Sequence, residues 1–261
     1  MQGKGHGAGW RRWLLGFFAM LISAMPLAAA SAAEMPDSLA DDSTADSGDN
    51  QKSSSTFMIL GLSWQPGFCE GKANLPECRN QSADDPAARQ FSLTGLWRLR
   101  QTYCGVADAL KDQDKKHKWL DMPELALGES LKVELARAMP GMASGLERHE
   151  WVKHGTCSGL SQQRYFSLLR AAFSRIKLPP VIFNGSINRN LKTGDIEDLM
   201  TSFNPGMTQD GISVICEKGK LSEIRICMTK SLDYRACGEV DRQSCNKSVV
   251  TLPGILKEKI E

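Results

Sequence analysis

The sequence predicts an α+β fold, with a central antiparallel sheet packed with several helices and stapled by disulfides. Three observations lead there. Strand-like apolar segments lie at both ends of the folded part, helical spacing fills the middle, and the 261 residues include 8 cysteines. An even cysteine count suits four disulfides, while their pairing is not legible from spacing.

The chain opens with what reads as an export signal over residues 1–32. Lys4, Arg11 and Arg12 form a basic start, an apolar run extends from Trp13 to Leu27, and small residues from Ala28 to Ala33 offer a cleavage site. The run is shorter than the ~20 residues of a spanning helix, which disfavours an uncleaved anchor. Arg11-Arg12 hints at twin-arginine export. Export places the cysteines where disulfides persist, so a periplasmic or secreted location is expected. Residues 33–56 are rich in Ser, Asp and Ala and carry Glu34, Asp37, Asp41, Asp42, Asp46 and Asp49. With almost no large apolar group, this stretch cannot offset its ordering entropy and is expected to be a disordered linker. The folded domain is then 57–261.

Within that domain, residues 56–69 (TFMILGLSWQPGFC) read as a strand ending in a turn at Pro66-Gly67. FSLTGLW, Phe91 to Trp97, is a second strand. Glu129 to Met139 has helical spacing through Leu131, Val133, Leu135 and Met139. Ser144 to His154 is a further helix, opened by a capping box of Ser144 and Glu147. Ser161 to Ile176 is amphipathic through Phe166, Leu169, Ala172 and Phe173. Thr193 to Phe203 is a shorter helix. Ile212 to Cys216 and Leu221 to Cys227 alternate on either side of Glu217-Lys218-Gly219-Lys220, a hairpin signature. Val249 to Leu252 adds a last strand. No internal repeat is present.

A hydrophobic content of 41% with 24% charged residues is that of an ordinary globular protein. The formal charge is +2; without the signal's three cations and the linker's six anions, the residues from Lys52 onward carry +5. This balance permits a polyanionic substrate without requiring one.

The chemistry concentrates in RHEWVKHGTC, Arg148 to Cys157. Of 4 histidines, His6 lies in the signal and His117 in a charged run. The other two, His149 and His154, enclose Glu150 and Lys153. On a regular helix these four side chains span about 140° and share one side, while Trp151 and Val152 point into the core. Two imidazoles, an ammonium and a carboxylate suit phosphoryl transfer, since an imidazole moves a proton near neutral pH and the others hold developing charge. The plainer reading is a solvated helix face. A zinc reading is poor, because HEWVKH is one residue longer than HExxH and sets its histidines about 140° apart. Oxidised cysteines would not ligate metal either. No metal and no cofactor are expected.

HEWVKHGTC resembles the second active-site segment of the ribonuclease T2 family. FSLTGLW resembles the first, which in that family reads His-Gly-Leu-Trp-Pro. LSWQPGFC resembles the family's first core strand and CEKGKLSEIRIC its C-terminal hairpin. The likeness covers roughly Phe57 to Leu252 and implies a ribonuclease T2-like fold. It implies metal-independent cleavage of single-stranded RNA through a 2′,3′-cyclic phosphate. By motif, His154 would take the 2′-hydroxyl proton, His149 would bind the scissile phosphate, and Glu150 and Lys153 would stabilise the phosphorane-like state. Trp97 would line a base pocket, where stacking is sequence-tolerant; the alternative is a core tryptophan. The resemblance also implies disulfides Cys104–Cys157, Cys69–Cys78, Cys227–Cys237 and Cys216–Cys245, with a hairpin pair Cys216–Cys227 as an alternative.

The sequence departs from the family pattern at two positions. Thr94 stands where the family presents the histidine that protonates the departing 5′-oxygen, and Arg98 stands where it has proline. A threonine hydroxyl donates a hydrogen bond but releases no proton near neutral pH, and losing a positioned acid costs ~10²–10⁴ in rate. Arg98 either binds phosphate through its fork or faces solvent. Two functions follow: an endoribonuclease, slowed or using a rearranged acid, and a silent relative that binds RNA or a protein partner. A monomer is the default expectation. Asn80, Asn184 and Asn246 fit the glycosylation pattern, which matters only in a eukaryote.

Overall fold

The computed structural model describes residues 58–79, 81–82, 85–179, 189–238, 245 and 249–254. The expected signal and linker, Thr56, Phe57 and the three glycosylation-pattern asparagines lie outside the described residues.

Strand β1, Met58–Trp64, is buried along nearly all its length. The turn expected at Pro66-Gly67 is instead a short helix, α1, Gln65–Cys69. Pro66 sits in its first turn, where a missing N–H costs nothing and the fixed φ suits a helix. After α2, Pro76–Arg79, comes β2, Phe91–Arg98. Helix α3, Asp108–Lys115, was not expected, since its sequence DALKDQDK carries too few apolar residues to show a period. Helix α4, Glu129–Ala138, matches its spacing.

Helix α5, Leu146–Lys153, starts later than expected and without a capping box. Gly145 takes the cap position at φ 82°, a left-handed conformation, and Ser144 donates instead to the Glu77 carboxylate. Helix α6, Gln162–Arg175, is capped by Ser161, which accepts from the Arg164 N–H. Then follow β3, Arg189–Lys192, α7, Thr193–Phe203, β4, Ile212–Glu217, β5, Lys220–Met228, and β6, Val249–Leu252.

The strands form one sheet in the order β2-β1-β5-β6-β3, with β4 also on β5. The pairs β1–β2, β1–β5, β3–β6 and β4–β5 are antiparallel. The sheet is nonetheless mixed rather than wholly antiparallel, because β6 meets β5 in parallel at Lys220 opposite Thr251. A long connection from Met228 permits this, where a hairpin would not. Leu60, Leu62, Ile224 and Ile226 share one face and join the core with Tyr165, Phe166 and Leu169 of α6. Each large side chain buried this fully contributes about 1.5–3 kcal/mol. The register sets Gly61 between Gly95 and Arg225, and Ser63 between Ser92 and Glu223, on the opposite face.

Four disulfides join Cys69–Cys78, Cys104–Cys157, Cys216–Cys245 and Cys227–Cys237. The alternative hairpin pair Cys216–Cys227 does not form, because the register places Cys216 opposite Leu221. Among the described residues no helix is long and apolar enough to cross a membrane.

Candidate active site

Strand β2 is not regular. Gly95 pairs with Gly61 and Leu93 with Leu62, which leaves Thr94 as the extra residue of a β-bulge. Leu93 and Leu96, three positions apart, therefore both reach the core. Thr94 is half-buried, and its Oγ1 is shielded without a hydrogen-bond partner. The next residue, Gly95, has no side chain, and a Cβ there would overlap the Glu150 carboxyl of α5. Glu150 thus lies against β2 and is only 3% exposed, not on a solvated face.

The helix ends at Lys153, and His154 leaves it with φ −120° and ψ −45°. That break overturns the regular-helix angle. The His149 and His154 rings stand perpendicular with centroids 6.3 Å apart. One donor atom from each of His149, Glu150 and His154 falls within 4.8 Å of the others. The angular argument against shared metal ligation therefore fails, and these three side chains could hold a divalent ion. The neighbouring ammonium of Lys153 and the burial of Glu150, which favours its neutral form, both oppose a cation there.

Electrostatics follow from burial. Burial, partly offset by Lys153, pushes Glu150 up to about 8, so its carboxyl is mostly neutral at pH 7. Burial, with Lys153 and His149 nearby, holds His154 down to about 3, so its imidazole is neutral and able to accept a proton. Burial also lowers His149, while Asp114 pulls it back up. Lys153 acts electrostatically on all three groups, so the four predicted residues do gather. Glu150 Oε2 and His154 Nδ1 are shielded atoms without partners. Such atoms are costly in a finished core and suit a site that receives a polar ligand.

Trp97 borders the cluster, with its ring centroid 5.6 Å from that of His154 and the Arg225 guanidinium 5.5 Å from its ring. Arg98 does not simply face solvent. It donates to the Cys157 carbonyl oxygen at 3.3 Å and so ties β2 to the turn after α5. Trp151 and Val152 pack inward as expected.

Sequence reasoning missed four neighbours. Asp114 Oδ1 lies 2.6 Å from His149 Nδ1, and Asp114 Oδ2 accepts from the Tyr103 hydroxyl at 2.6 Å. Glu223 and Arg225 form an ion pair at 2.9 Å on the same sheet face. Nothing in the charged runs around them marks these residues as part of a site.

The fold and the cluster define a disulfide-stapled α+β protein whose histidine–carboxylate site rests on an edge strand of the sheet. The model described as the ribonuclease T2 family matches residues 55–237, and the chain belongs to that family. A probable ribonuclease of Haemophilus influenzae is 27% identical over 195 residues, covering 73% of this chain and 64% of that protein. Ribonuclease I of Escherichia coli is 28% identical over 142 residues, covering 46% of this chain and 53% of that protein. The chain thus spans less than two thirds of the length of either relative. The crystal structure of a ribonuclease MC1 mutant matches with a TM-score of 0.51 and 18% identity, covering 76% of this chain and 99% of that one. That likeness speaks for the fold.

Proposed function

We propose that the chain is a metal-independent endoribonuclease that cleaves single-stranded RNA through a 2′,3′-cyclic phosphate. One observation carries this reading: His149, Glu150 and His154 converge within 4.8 Å of one another beside Trp97. His154, neutral at pH 7, takes the 2′-hydroxyl proton. His149 and Lys153 hold the phosphate, and the neutral Glu150 carboxyl donates a hydrogen bond to its oxygen. Trp97 offers a stacking face to a base, with Thr94 and Arg98 flanking the same strand. Thr94 slows turnover relative to a site with histidine in its place.

The cysteines, all paired in the structure, support an exported protein in an oxidising compartment, periplasmic or secreted. The test is digestion of single-stranded RNA with EDTA present. Products ending in cyclic phosphate are expected, with a loss of ~10²-fold or more in His154→Ala. Activity unchanged in that variant, or abolished by EDTA, defeats the reading.

A further inference from the structure

Asp114 is 2% exposed, which is rare for a carboxylate without engaged oxygens. Both of its oxygens are taken, one by His149 Nδ1 and one by the Tyr103 hydroxyl. A carboxylate only accepts, so the hydrogen of this bond sits on His149 Nδ1. Nε2 is left facing Glu150 Oε1, 3.9 Å away. The Trp119 ring covers the imidazole at 4.7 Å, and its Nε1 donates to the Asp114 carbonyl at 3.1 Å. Arg148 holds that segment by donating to the carbonyls of Leu120 and Met122. The Tyr103 N–H donates to the Lys153 carbonyl at 2.8 Å, and the next residue, Cys104, is bonded to Cys157. The imidazole is therefore clamped in one orientation from three sides.

Resting on the ribonuclease reading, we propose that Asp114 is a positioning residue that makes His149 the proton donor to the departing 5′-oxygen. The Thr94 hydroxyl releases no proton near neutral pH and cannot serve that task. In the first step His154 takes the 2′-hydroxyl proton and the O2′–P bond forms. The P–O5′ bond breaks, and His149, starting as imidazolium, passes its Nε2 proton to O5′. In hydrolysis of the cyclic phosphate the rings exchange roles. His149 Nε2 takes a proton from water, the new O–P bond forms, P–O2′ breaks, and His154 returns its proton to O2′. Both rings end as they began.

The charged groups facing His149 are Asp114 on α3, His117 just beyond it, Glu150 and Lys153 on α5, and His154 after α5. Asp114 favours the imidazolium, against burial, Lys153 and His117. A bound phosphate acts in the same direction as Asp114.

The experiment compares the full chain with Asp114→Asn on two substrates. One is single-stranded RNA, whose 5′-alkoxide needs a proton to leave. The other is uridine 3′-(4-nitrophenyl phosphate), whose nitrophenolate leaves without one. Asp114→Asn is expected to lose about 10²-fold or more on RNA and at least ~10-fold less than that on the ester. The alkaline limb of its kcat/KM profile on RNA is expected to move to lower pH. Equal losses on both substrates, or an unmoved limb, overturn the proposal. So does a leaving-group-dependent loss seen in Glu150→Gln instead, which would assign the proton to Glu150. Tyr103→Phe, which removes one bond to Asp114, is expected to show the same pattern more weakly and serves if Asp114→Asn does not fold. Imidazole ¹⁵N spectra read the clamp without turnover: His149 is expected as the Nδ1–H tautomer, lost in Asp114→Asn. A wild-type chain that turns over neither substrate defeats the ribonuclease reading, while an Nε2–H tautomer of His149 defeats the clamp itself.

Discussion

The Glu150 carboxyl occupies the space that a side chain at Gly95 would need. Gly61, opposite Gly95 in the register, is crowded in the same way by Trp97 and Glu223. Two adjacent glycines thus form the floor on which the site rests. Gly95→Ala is expected to displace Glu150, lowering kcat on RNA and costing ~1–3 kcal/mol of stability from overpacking. Steady-state kinetics beside thermal unfolding check this. Unchanged kcat in a folded variant would mean that Glu150 does not need its place.

On the proposed roles, the pH profile of RNA cleavage follows from two histidines. Turnover needs His154 neutral, which holds above about 3. It needs His149 protonated, and burial sets that group below the ordinary 6.5. The expected bell in kcat/KM, which reports the free enzyme, therefore lies on the acid side of pH 6.5, and bound phosphate pulls up only the alkaline limb of kcat. A plateau continuing above pH 8 would contradict the pairing of roles.

Stability should fall as pH rises from 4.5 to about 8, because of Glu150. Its folded value, about 8, lies above its ordinary 4.5. A raised value means the folded state holds its proton more tightly, so the contribution is complete below 4.5 and lost between 4.5 and 8. Glu150→Gln, which cannot ionise, is expected to remove this slope, an effect on the order of a few kcal/mol. Denaturant midpoints at pH 5 and pH 8 make the comparison, and an unaltered slope in the variant counts against a neutral buried Glu150.

Cys104–Cys157 closes the longest of the four disulfide loops, with a sequence separation of 53, and joins the Tyr103 loop to the turn after α5. Replacing both cysteines by alanine is expected to cost ~2–4 kcal/mol and to reduce activity below the unfolding range. Removing Cys69–Cys78, which joins α1 to α2 across a sequence separation of 9, is expected to cost stability with less effect on kcat. Equal kinetic effects would show that the Cys104–Cys157 link does not hold the site.

Thr94→His tests how far His149 already meets the need for an acid. With the Asp114 clamp in place, the gain on RNA is expected to stay below ~10²-fold. A gain of ~10³-fold or more would show that the native site lacks a proton donor.

Much of the site is legible because it is local. His149, Glu150, Lys153 and His154 lie within one helical turn and a half, so any fold that forms α5 keeps them near one another. What misled the angular reading is that His154 is the residue after the helix, and the end of a helix is set by what packs beyond it. Asp114 was invisible for another reason. It sits in KDQDKKHK, a run that composition assigns to solvent, and only α3 packing against α5 buries it beside His149.

By itself the sequence determined the α+β class, most strands and helices, the family resemblance and the residues of α5, because periodicity and motif are local patterns. The tertiary structure decided the Thr94 bulge, the parallel approach of β6, the burial of Glu150 on Gly95 and the Asp114–His149 bond. Each of these joins segments distant in the chain, and such contacts depend on how faces pack rather than on any pattern within one segment.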